Sequence, residues 1–241
     1  MRYLVKVAYD GTAYHGFQRQ QNALGIQTVI EKAFRNMTQT AITIHRAGRT
    51  DKGVHALGQT LHFDSDLNID IRTWKRAMND RLPLDIRILS LKKVAPHFHA
   101  RHNAVSKVYQ YVMAKKPSSV FTKNYEVYIP DFDIELVKQA MHDFEGTHDF
   151  KGFCQYVKGK DTIKTIHQVL LKETSKHYVF IFHGNSFLKY MVRSMMGTLI
   201  EIGRHRKPID TIRHILETQD RKAAGKTAEA RGLYLVKIHY Q

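Results

Sequence analysis

One carboxylate in this sequence lies between two cations, in a loop that glycines bracket. Asp51 follows Arg49 and precedes Lys52, with Gly48 and Gly53 on either side. Neighbouring opposite charge favours the ionised form of a carboxyl group, and glycine lets a backbone turn sharply or approach a ligand closely. The same composition also describes a charged hairpin turn, which aspartate and glycine favour on conformational grounds alone. The run therefore predicts either a catalytic acid or a surface turn.

Strand-like sequence flanks this loop on both sides. Residues 42–44 and 59–63 alternate like half-buried strands, and two paired strands would give Asp51 a rigid mount. The other elements predicted in the first half are a strand over 3–9, a helix over 26–37 with Thr28 and Glu31 as a capping box, a helix over 71–78 and a strand over 86–91.

The second half also alternates between predicted strands and helices. It begins after a boundary near residues 104–107 that no change in composition marks sharply. Strands are predicted over 108–113, 167–171, 178–182 and 233–240, and helices over 134–144, 187–203 and 209–216. No flexible linker marks the boundary, so we expect two halves, 1–105 and 106–241, that share one sheet. Strands and helices in this order predict an α+β fold with a mainly antiparallel sheet.

The charge balance indicates a polyanionic partner. The 38 Lys and Arg outnumber the 22 Asp and Glu, which gives a formal net charge of +16. Phosphate neutralisation dominates nucleic-acid binding, so this surplus favours RNA or DNA. No segment approaches the roughly 20 apolar residues that span a bilayer, and the N-terminus alternates like a strand instead of forming a signal peptide. Cys154 is the only cysteine, which predicts a buried hydrophobe in a reducing cytoplasm.

Two further stretches combine basic with aromatic or imidazole side chains. The loop over residues 10–20, which includes Arg19, could stack on and hydrogen-bond to exposed RNA. The histidine-rich run over 97–102, which includes Arg101, invites a metal site, but zinc sites need three or four suitably spaced ligands. Neither a cysteine partner nor a zincin helix pattern is present. We therefore predict a basic turn that faces RNA, and no metal.

Two residues of the second half also carry possible chemistry. Tyr109 and Tyr111 share one face of a predicted strand, where cross-strand packing is the plain interpretation. Arg193 interrupts a largely apolar predicted helix, and an arginine there needs an acidic partner or a path to water. The residues alone leave both interpretations open.

The Asp51 run belongs to a series of short motifs that covers nearly the whole chain. Residues 48–56 are followed by Gly58-Gln59, 98–101, Tyr109 with Tyr111, 146–150, 187–193 and 232–235. In content and order these motifs resemble the bacterial tRNA pseudouridine synthase A (TruA) family. The resemblance implies two similar α+β halves with an extended antiparallel sheet and a central active-site cleft. It also implies a cytoplasmic homodimer without a cofactor that modifies uridines at positions 38–40 of the tRNA anticodon stem-loop.

The resemblance also implies roles for single residues. Asp51 would be the catalytic carboxylate, paired with Arg193, and Tyr109 would line the active site. Arg49 would offset part of the cost of extruding a nucleotide, a few kcal/mol. The residues expected to contact RNA are Arg19, Lys52, His55 and Arg101. Departures from the family pattern are Lys164, where arginine is common, and Arg81, where an apolar residue is usual.

Two other functions also fit the residues. A non-catalytic RNA-binding protein or chaperone would need the same charge and aromatic side chains. A metal-dependent nuclease could use Asp51, His55 and His62, and would then depend on a divalent ion. Pseudouridine formation, by contrast, moves no electrons into or out of the substrate, so it needs neither a redox cofactor nor a metal.

Overall fold

The computed structural model describes all 241 residues, and its helices and strands occur in both halves of the chain. In chain order they are β1 (Arg2–Tyr9), α1 (Ile26–Thr38), β2 (His45–Arg46), β3 (His55–Asp64), α2 (Ile71–Asn79), β4 (Ile86–Val94), β5 (Ala104–Ala114), β6 (Val127–Tyr128), α3 (Ile134–Ala140), β7 (Gly146–Asp149), β8 (Ile163–Glu173), β9 (His177–Gly184), α4 (Met191–Gly203), α5 (Thr211–Thr218) and β10 (Leu233–Tyr240). The predicted α+β class is confirmed. None of the helices has the length and apolar character that crossing a membrane would require.

The chain divides into two compact units. Unit 1 comprises Met1–Val105 together with Tyr234–Gln241, and unit 2 comprises Ser106–Leu233. The division falls inside the boundary expected near 104–107. The last strand, however, returns to unit 1, so unit 2 is shorter than the expected half 106–241.

Unit 1 is built on a sheet in which β1 lies between β3 and β4 and runs antiparallel to both. The short β2 pairs antiparallel with β3, and β10 pairs parallel with β3. One face of this sheet carries an aromatic core formed with α1 and α2. Phe63 lies at its centre, with ring centroids 4.5 Å from Phe34, 5.1 Å from Tyr3 and 5.3 Å from Trp74. Because each such side chain contributes roughly 1.5–3 kcal/mol on burial, β3 is firmly anchored where it leaves the Asp51 loop.

The strands of unit 2 follow the order β5-β9-β8-β7. They pair antiparallel with one another, and the short β6 pairs parallel with β5. Almost every residue of α4 is buried. A Cβ added at Gly197 would lie 1.7 Å from the carbonyl oxygen of Lys226, so the segment 220–228 packs directly against this helix. Close backbone approach of that kind requires glycine.

Three local predictions differ from the structure. The capping box is wrong, because α1 begins at Ile26 after Gly25 and has no side-chain cap. The strand over 42–44 is also wrong, although Ile42 and Ile44 are buried as predicted. Side chains of α1 take up the polar groups of that segment, since the amide of Ile44 donates to Glu31 Oε1 at 3.3 Å.

The third difference concerns α4, which starts at Met191 and not at 187. Tyr190 has φ = +64°, a left-handed conformation that a helix cannot continue through. The segment before it turns instead, with the amide of Met191 bonded to the carbonyl of Leu188 at 3.1 Å. The remaining predicted elements are confirmed to within a few residues, with 141–144 forming a 3₁₀ turn after α3.

Candidate active site

The Asp51 loop, residues 47–54, is fixed at its start by a buried glutamine on β3. Gln59 is fully buried; its Nε2 donates to the carbonyl of Gly48 at 2.8 Å, and its Oε1 accepts from the amide of Gly48 at 3.2 Å. The amide of Ala47 adds a bond to the carbonyl of Thr60 at 2.9 Å. One amide side chain therefore satisfies both polar groups of Gly48, which would otherwise be buried without partners.

The segment that follows β1 holds the loop from the other side. The hydroxyls of Tyr9 and Thr50 lie 2.7 Å apart, and the carbonyl of Thr50 accepts from the amide of Phe17 at 3.2 Å. The amide of Gly53 donates to the carbonyl of Tyr14 at 3.3 Å. Burial raises the pKa of Tyr9 to about 12, so its hydroxyl keeps its proton and this contact at neutral pH.

Two glycines allow the two segments to touch. A Cβ on Gly11 would lie 2.1 Å from the carbonyl oxygen of Val54, and one on Gly16 would lie 2.6 Å from that of Thr50. Gly16 also has φ = +86°, which residues with a Cβ rarely adopt. The glycines thus permit backbone-to-backbone packing beneath the carboxylate-bearing turn.

Asp51 itself is half-buried between the exposed side chains of Arg49 and Lys52. Its carbonyl accepts from the amide of Val54 at 3.2 Å, which closes a tight turn. The structure therefore places a carboxylate on a turn whose neighbours on both sides are fixed by hydrogen bonds. Such a mount suits chemistry that needs an acid held in one orientation.

His55, expected to contact RNA, lies beneath this turn with 2% of its surface exposed. Its Nδ1 accepts from the amide of Gly11 at 3.1 Å, and its ring stacks on Tyr234 with centroids 4.7 Å apart. This placement gives His55 a part in packing the loop.

Three arginines of unit 1, Arg46, Arg49 and Arg101, form a cationic cluster that includes a residue of the loop. Burial lowers the pKa of Arg46, and the positive charges of Arg49 and Arg101 lower it further. Arg46 donates to Gln18 Oε1 at 3.1 Å, and the exposed Arg19 pairs with Glu31 at 3.2 Å. Mutual repulsion among guanidinium groups makes a bound polyanion favourable here, since its phosphates would relieve it.

Unit 2 holds the two other residues singled out by the sequence. Tyr109 is 7% exposed on β5 and meets Phe187 edge to face, with centroids 5.0 Å apart. Tyr111 on the same face is fully buried and donates to the carbonyl of Glu229 at 2.9 Å, which is a packing role. Arg193 is half-buried, and its Nε donates to the carbonyl of Ala228 at 2.7 Å. The two tyrosines of one strand face are thus in different environments.

The sequence model of a family described as tRNA pseudouridine synthase matches residues 6–103 and 140–241. The chain belongs to this family. A protein named tRNA pseudouridine synthase A from Onion yellows phytoplasma is 40% identical over 238 residues, which are 99% of this chain and 98% of that protein. A protein of the same name from Streptococcus pneumoniae (strain P1031) is 41% identical over 246 residues, covering 100% of this chain and 99% of its own. Membership makes the chain an isomerase of the class that acts on tRNA.

Among solved structures, a Cbf5-Nop10-Gar1 complex aligns with 97% of this chain and 48% of its own chain. The TM-score is 0.41 and the sequence identity 9%. This likeness is too slight to support any further statement.

One feature of this pseudouridine synthase could suggest a metal: the side-chain nitrogens of His45, His62 and His99 lie within 4.8 Å of one another. The amide of Ala100 donates to His62 Nδ1 at 3.1 Å, and that of Arg101 donates to His99 Nδ1 at 3.1 Å. A neutral imidazole that accepts at Nδ1 carries its proton on Nε2, so neither nitrogen is left to bind a metal. A metal-bound histidine instead binds the ion through one nitrogen and usually donates a hydrogen bond from the other. The cluster therefore fits packed histidines better than a metal.

The charges around this cluster agree with that interpretation. Burial is the main cause that lowers the pKa of His62, to about 4, and the nearby His99 and Arg2 lower it further. Burial and the positive charge of Arg2, which disfavour a proton on His62, also disfavour a divalent ion there. The predicted absence of a metal stays a prediction that this chemistry supports.

Sequence reasoning missed the residues that hold the loop. Gln59 entered only as part of a motif, and neither Tyr9 nor Thr50 was given a role. A usable signal was present, because a glutamine inside a run that alternates as a strand is costly to bury unless its amide has partners. What the sequence could not supply was the partner, which lies eleven positions away at Gly48.

Proposed function

We propose that this chain isomerises uridine to pseudouridine at positions 38–40 of the tRNA anticodon stem-loop, with Asp51 as the catalytic carboxylate. The observation that carries the proposal is the loop geometry: Asp51 is half-buried on a turn that Gln59 and the segment after β1 hold from two sides. Membership of the family and the two relatives named tRNA pseudouridine synthase A support the choice of reaction and of substrate.

The proposed reaction needs an acid that stays ionised at neutral pH. The bond between ribose C1′ and uracil N1 breaks, the freed base turns, C5 bonds to C1′, and the proton on C5 leaves while N1 gains one. No electrons are exchanged with the protein, so no redox cofactor takes part. Asp51 supplies the carboxylate that promotes cleavage at C1′, and the cations Arg49 and Arg193 favour its charged form.

Tyr109 has the second role at the reacting base. Its ring stacks on the extruded uracil, and its hydroxyl assists removal of the C5 proton. The edge contact with Phe187 at 5.0 Å limits the orientations that the ring can adopt, which suits a surface for stacking.

The cationic cluster binds the RNA around the target. Extruding a nucleotide costs a few kcal/mol, and the exposed Arg49 offsets part of this by filling the vacated stack or holding a phosphate. Lys52, Arg19 and Arg101 are all exposed and neutralise further phosphates, which makes tRNA affinity strongly salt-dependent. The protein acts in the cytoplasm as a homodimer, a state that light scattering of the purified protein would test.

The test uses unmodified tRNA and purified protein. Carbodiimide primer extension maps the pseudouridines, and tritium release from C5-labelled uridine gives the rate. Asp51→Asn should abolish release while tRNA binding persists, and Asp66→Asn, the same change at an exposed acid, serves as the matched control. An RNA chaperone would lose nothing in Asp51→Asn, and a metal-dependent nuclease would lose its activity in excess EDTA.

A further inference from the structure

A cavity of about 570 Å³ lies within unit 2, and no residue of the Asp51 loop lines it. Segments 151–156, 189–194 and 219–227 line it. Small-molecule sites typically occupy roughly 300–1,000 Å³, so this cavity has room for one nucleotide. Its ten lining residues include three basic ones and no acidic one, which favours an anionic ligand.

Two lysines in this lining stand over tyrosine rings. Lys151 Nζ lies 5.0 Å from the centroid of Tyr156, and Lys189 Nζ lies 4.9 Å from that of Tyr190. A cation–π contact orients an ammonium group without neutralising it. Both lysines therefore keep a positive charge that can bind a phosphate. An ion pair with a carboxylate would have neutralised that charge.

The third cation, Arg221, is hydrogen-bonded to other residues of the cavity wall. Its guanidinium donates to Thr227 Oγ1 at 3.1 Å and to the carbonyl of Gly225 at 3.3 Å. These partners are neutral, so the arginine contributes a fixed positive charge to the cavity. Its position is set by hydrogen bonds and does not depend on a ligand.

The backbone around the cavity is left-handed at two places. Tyr190 has φ = +64° and Gln219 has φ = +58°; they are two of the five non-glycine residues in the chain with a left-handed backbone, and both line this cavity. The amide of Gln155 bonds to the carbonyl of Lys189 at 3.0 Å, which ties two of the walls together. Gln219 directly follows α5, where a left-handed residue commonly ends a helix. Tyr190 instead precedes α4, and disfavoured conformations of that kind tend to occur at functional sites.

We propose that this cavity binds one nucleotide of the tRNA other than the target uridine. The phosphate is held by Lys151, Lys189 and Arg221, and the base stacks on Tyr156, a residue that is 44% exposed. Aromatic stacking combined with a basic groove is how proteins bind single-stranded nucleic acid. The proposal rests on tRNA being the substrate, and the net charge of +16 favours a nucleotide within a polyanion over a free one.

The test compares four variants with the wild type. Tyr156→Ala removes the stacking ring, Tyr156→Phe keeps it, Lys189→Gln removes a phosphate contact, and Lys176→Gln removes an exposed charge in the turn between β8 and β9. We expect Tyr156→Ala to raise KM and the Kd for tRNA by roughly 5- to 150-fold with kcat unchanged, and Tyr156→Phe to restore both. Lys189→Gln should reduce the slope of log affinity against log salt by about 0.7, the amount expected for one single-strand phosphate.

Different results would overturn this proposal and the proposed function. If the wild type forms pseudouridine but Tyr156→Ala and Lys189→Gln match Lys176→Gln in KM, Kd and salt slope, the cavity does not bind tRNA. If millimolar UMP or AMP binds the wild type but not Tyr156→Ala, and tRNA does not displace it, the ligand is a free nucleotide. If the wild type forms no pseudouridine, the proposed function fails, and the Kd measurements still decide on the cavity. Thermal unfolding of each variant identifies any effect that comes from misfolding.

Discussion

The Asp51 loop of unit 1 and the cavity of unit 2 are built in different ways. Hydrogen bonds to main-chain groups and glycine-mediated backbone contacts hold the loop, and the side chains that clamp it, such as Gln59, are buried. The cavity presents long basic side chains and tyrosine rings, of which Lys189 and Tyr156 are exposed. A carboxylate that must meet one atom of a substrate benefits from the first arrangement. A surface that must accept a flexible polyanion benefits from the second.

The difference predicts two classes of mutational effect. Changes beneath the loop should lower stability and kcat together, because they displace the carboxylate. Changes in the cavity should act on KM and tRNA affinity, as tested above.

The strongest challenge to the loop is Gly16→Ala. Its Cβ would lie 2.6 Å from the carbonyl oxygen of Thr50, at φ = +86°, so backbone strain and steric overlap add. We expect a loss of about 3–5 kcal/mol in the free energy of unfolding and a fall in kcat, measured by urea denaturation and single-turnover kinetics. Gly159 has nearly the same φ, +81°, but nothing within 4 Å of an added Cβ, so Gly159→Ala should cost only about 1 kcal/mol. Equal costs at the two positions would contradict close packing beneath the loop.

The buried glutamine is the next target. Gln59→Leu leaves the amide and carbonyl of Gly48 buried without partners, at roughly 1–3 kcal/mol each. We expect a total loss of about 2–4 kcal/mol in urea denaturation, accompanied by reduced kcat. Gln168→Leu, the same change at an exposed position of β8, is the control. A kcat that stays at the wild-type value in Gln59→Leu would show that this clamp does not position Asp51.

The Tyr9–Thr50 contact allows a double-mutant cycle. Tyr9→Phe and Thr50→Val each remove one hydroxyl of the 2.7 Å pair with little change of volume. The coupling energy should be about 1 kcal/mol in the free energy of unfolding. Additive single effects would mean that the two hydroxyls do not stabilise each other.

An effect of similar size concerns pH and the histidine cluster of unit 1. The pKa of His62 falls from 6.5 to about 4 on folding, so between these values the unfolded chain binds the extra proton. The stabilising contribution is complete above pH 6.5 and is lost as the pH falls towards 4. We expect about 1 kcal/mol less stability at pH 5 than at pH 7 from this group, after allowance for solvent screening.

Urea denaturation at both pH values measures this loss. In His62→Gln the corresponding part of the pH dependence should disappear, whereas it should persist in His214→Gln, a change at an exposed residue of α5. An unchanged pH dependence in His62→Gln would show that another group is responsible.

The sequence predicted the loop better than the cavity, for a physical reason. The loop is one continuous run, so its charges, glycines and flanking strands can be read together. The cavity combines three segments up to 76 positions apart, from Lys151 to Thr227, and no spacing rule connects them. The left-handed backbone conformation of Tyr190 also cannot be predicted from the sequence, because the residues around it favour a continuous helix.

The errors in unit 1 have a related cause. Ile42 and Ile44 alternate in burial as a strand would, and the sequence pattern reports only burial. It does not report that Glu31 on α1 accepts a hydrogen bond from the amide of Ile44. The predicted capping box would have used the same glutamate. Tertiary hydrogen bonding replaced both local patterns with one long-range contact.

The most direct test of the central claim is the rate of tritium release from C5-labelled uridine in unmodified tRNA, measured side by side for wild type, Asp51→Asn and Asp66→Asn. We predict that Asp51→Asn lowers the rate by more than about 1,000-fold with tRNA affinity within about threefold of wild type, a tolerance of ~0.65 kcal/mol, and that Asp66→Asn is unchanged. Release from Asp51→Asn at a rate close to wild type would contradict the assignment of Asp51 as the catalytic carboxylate.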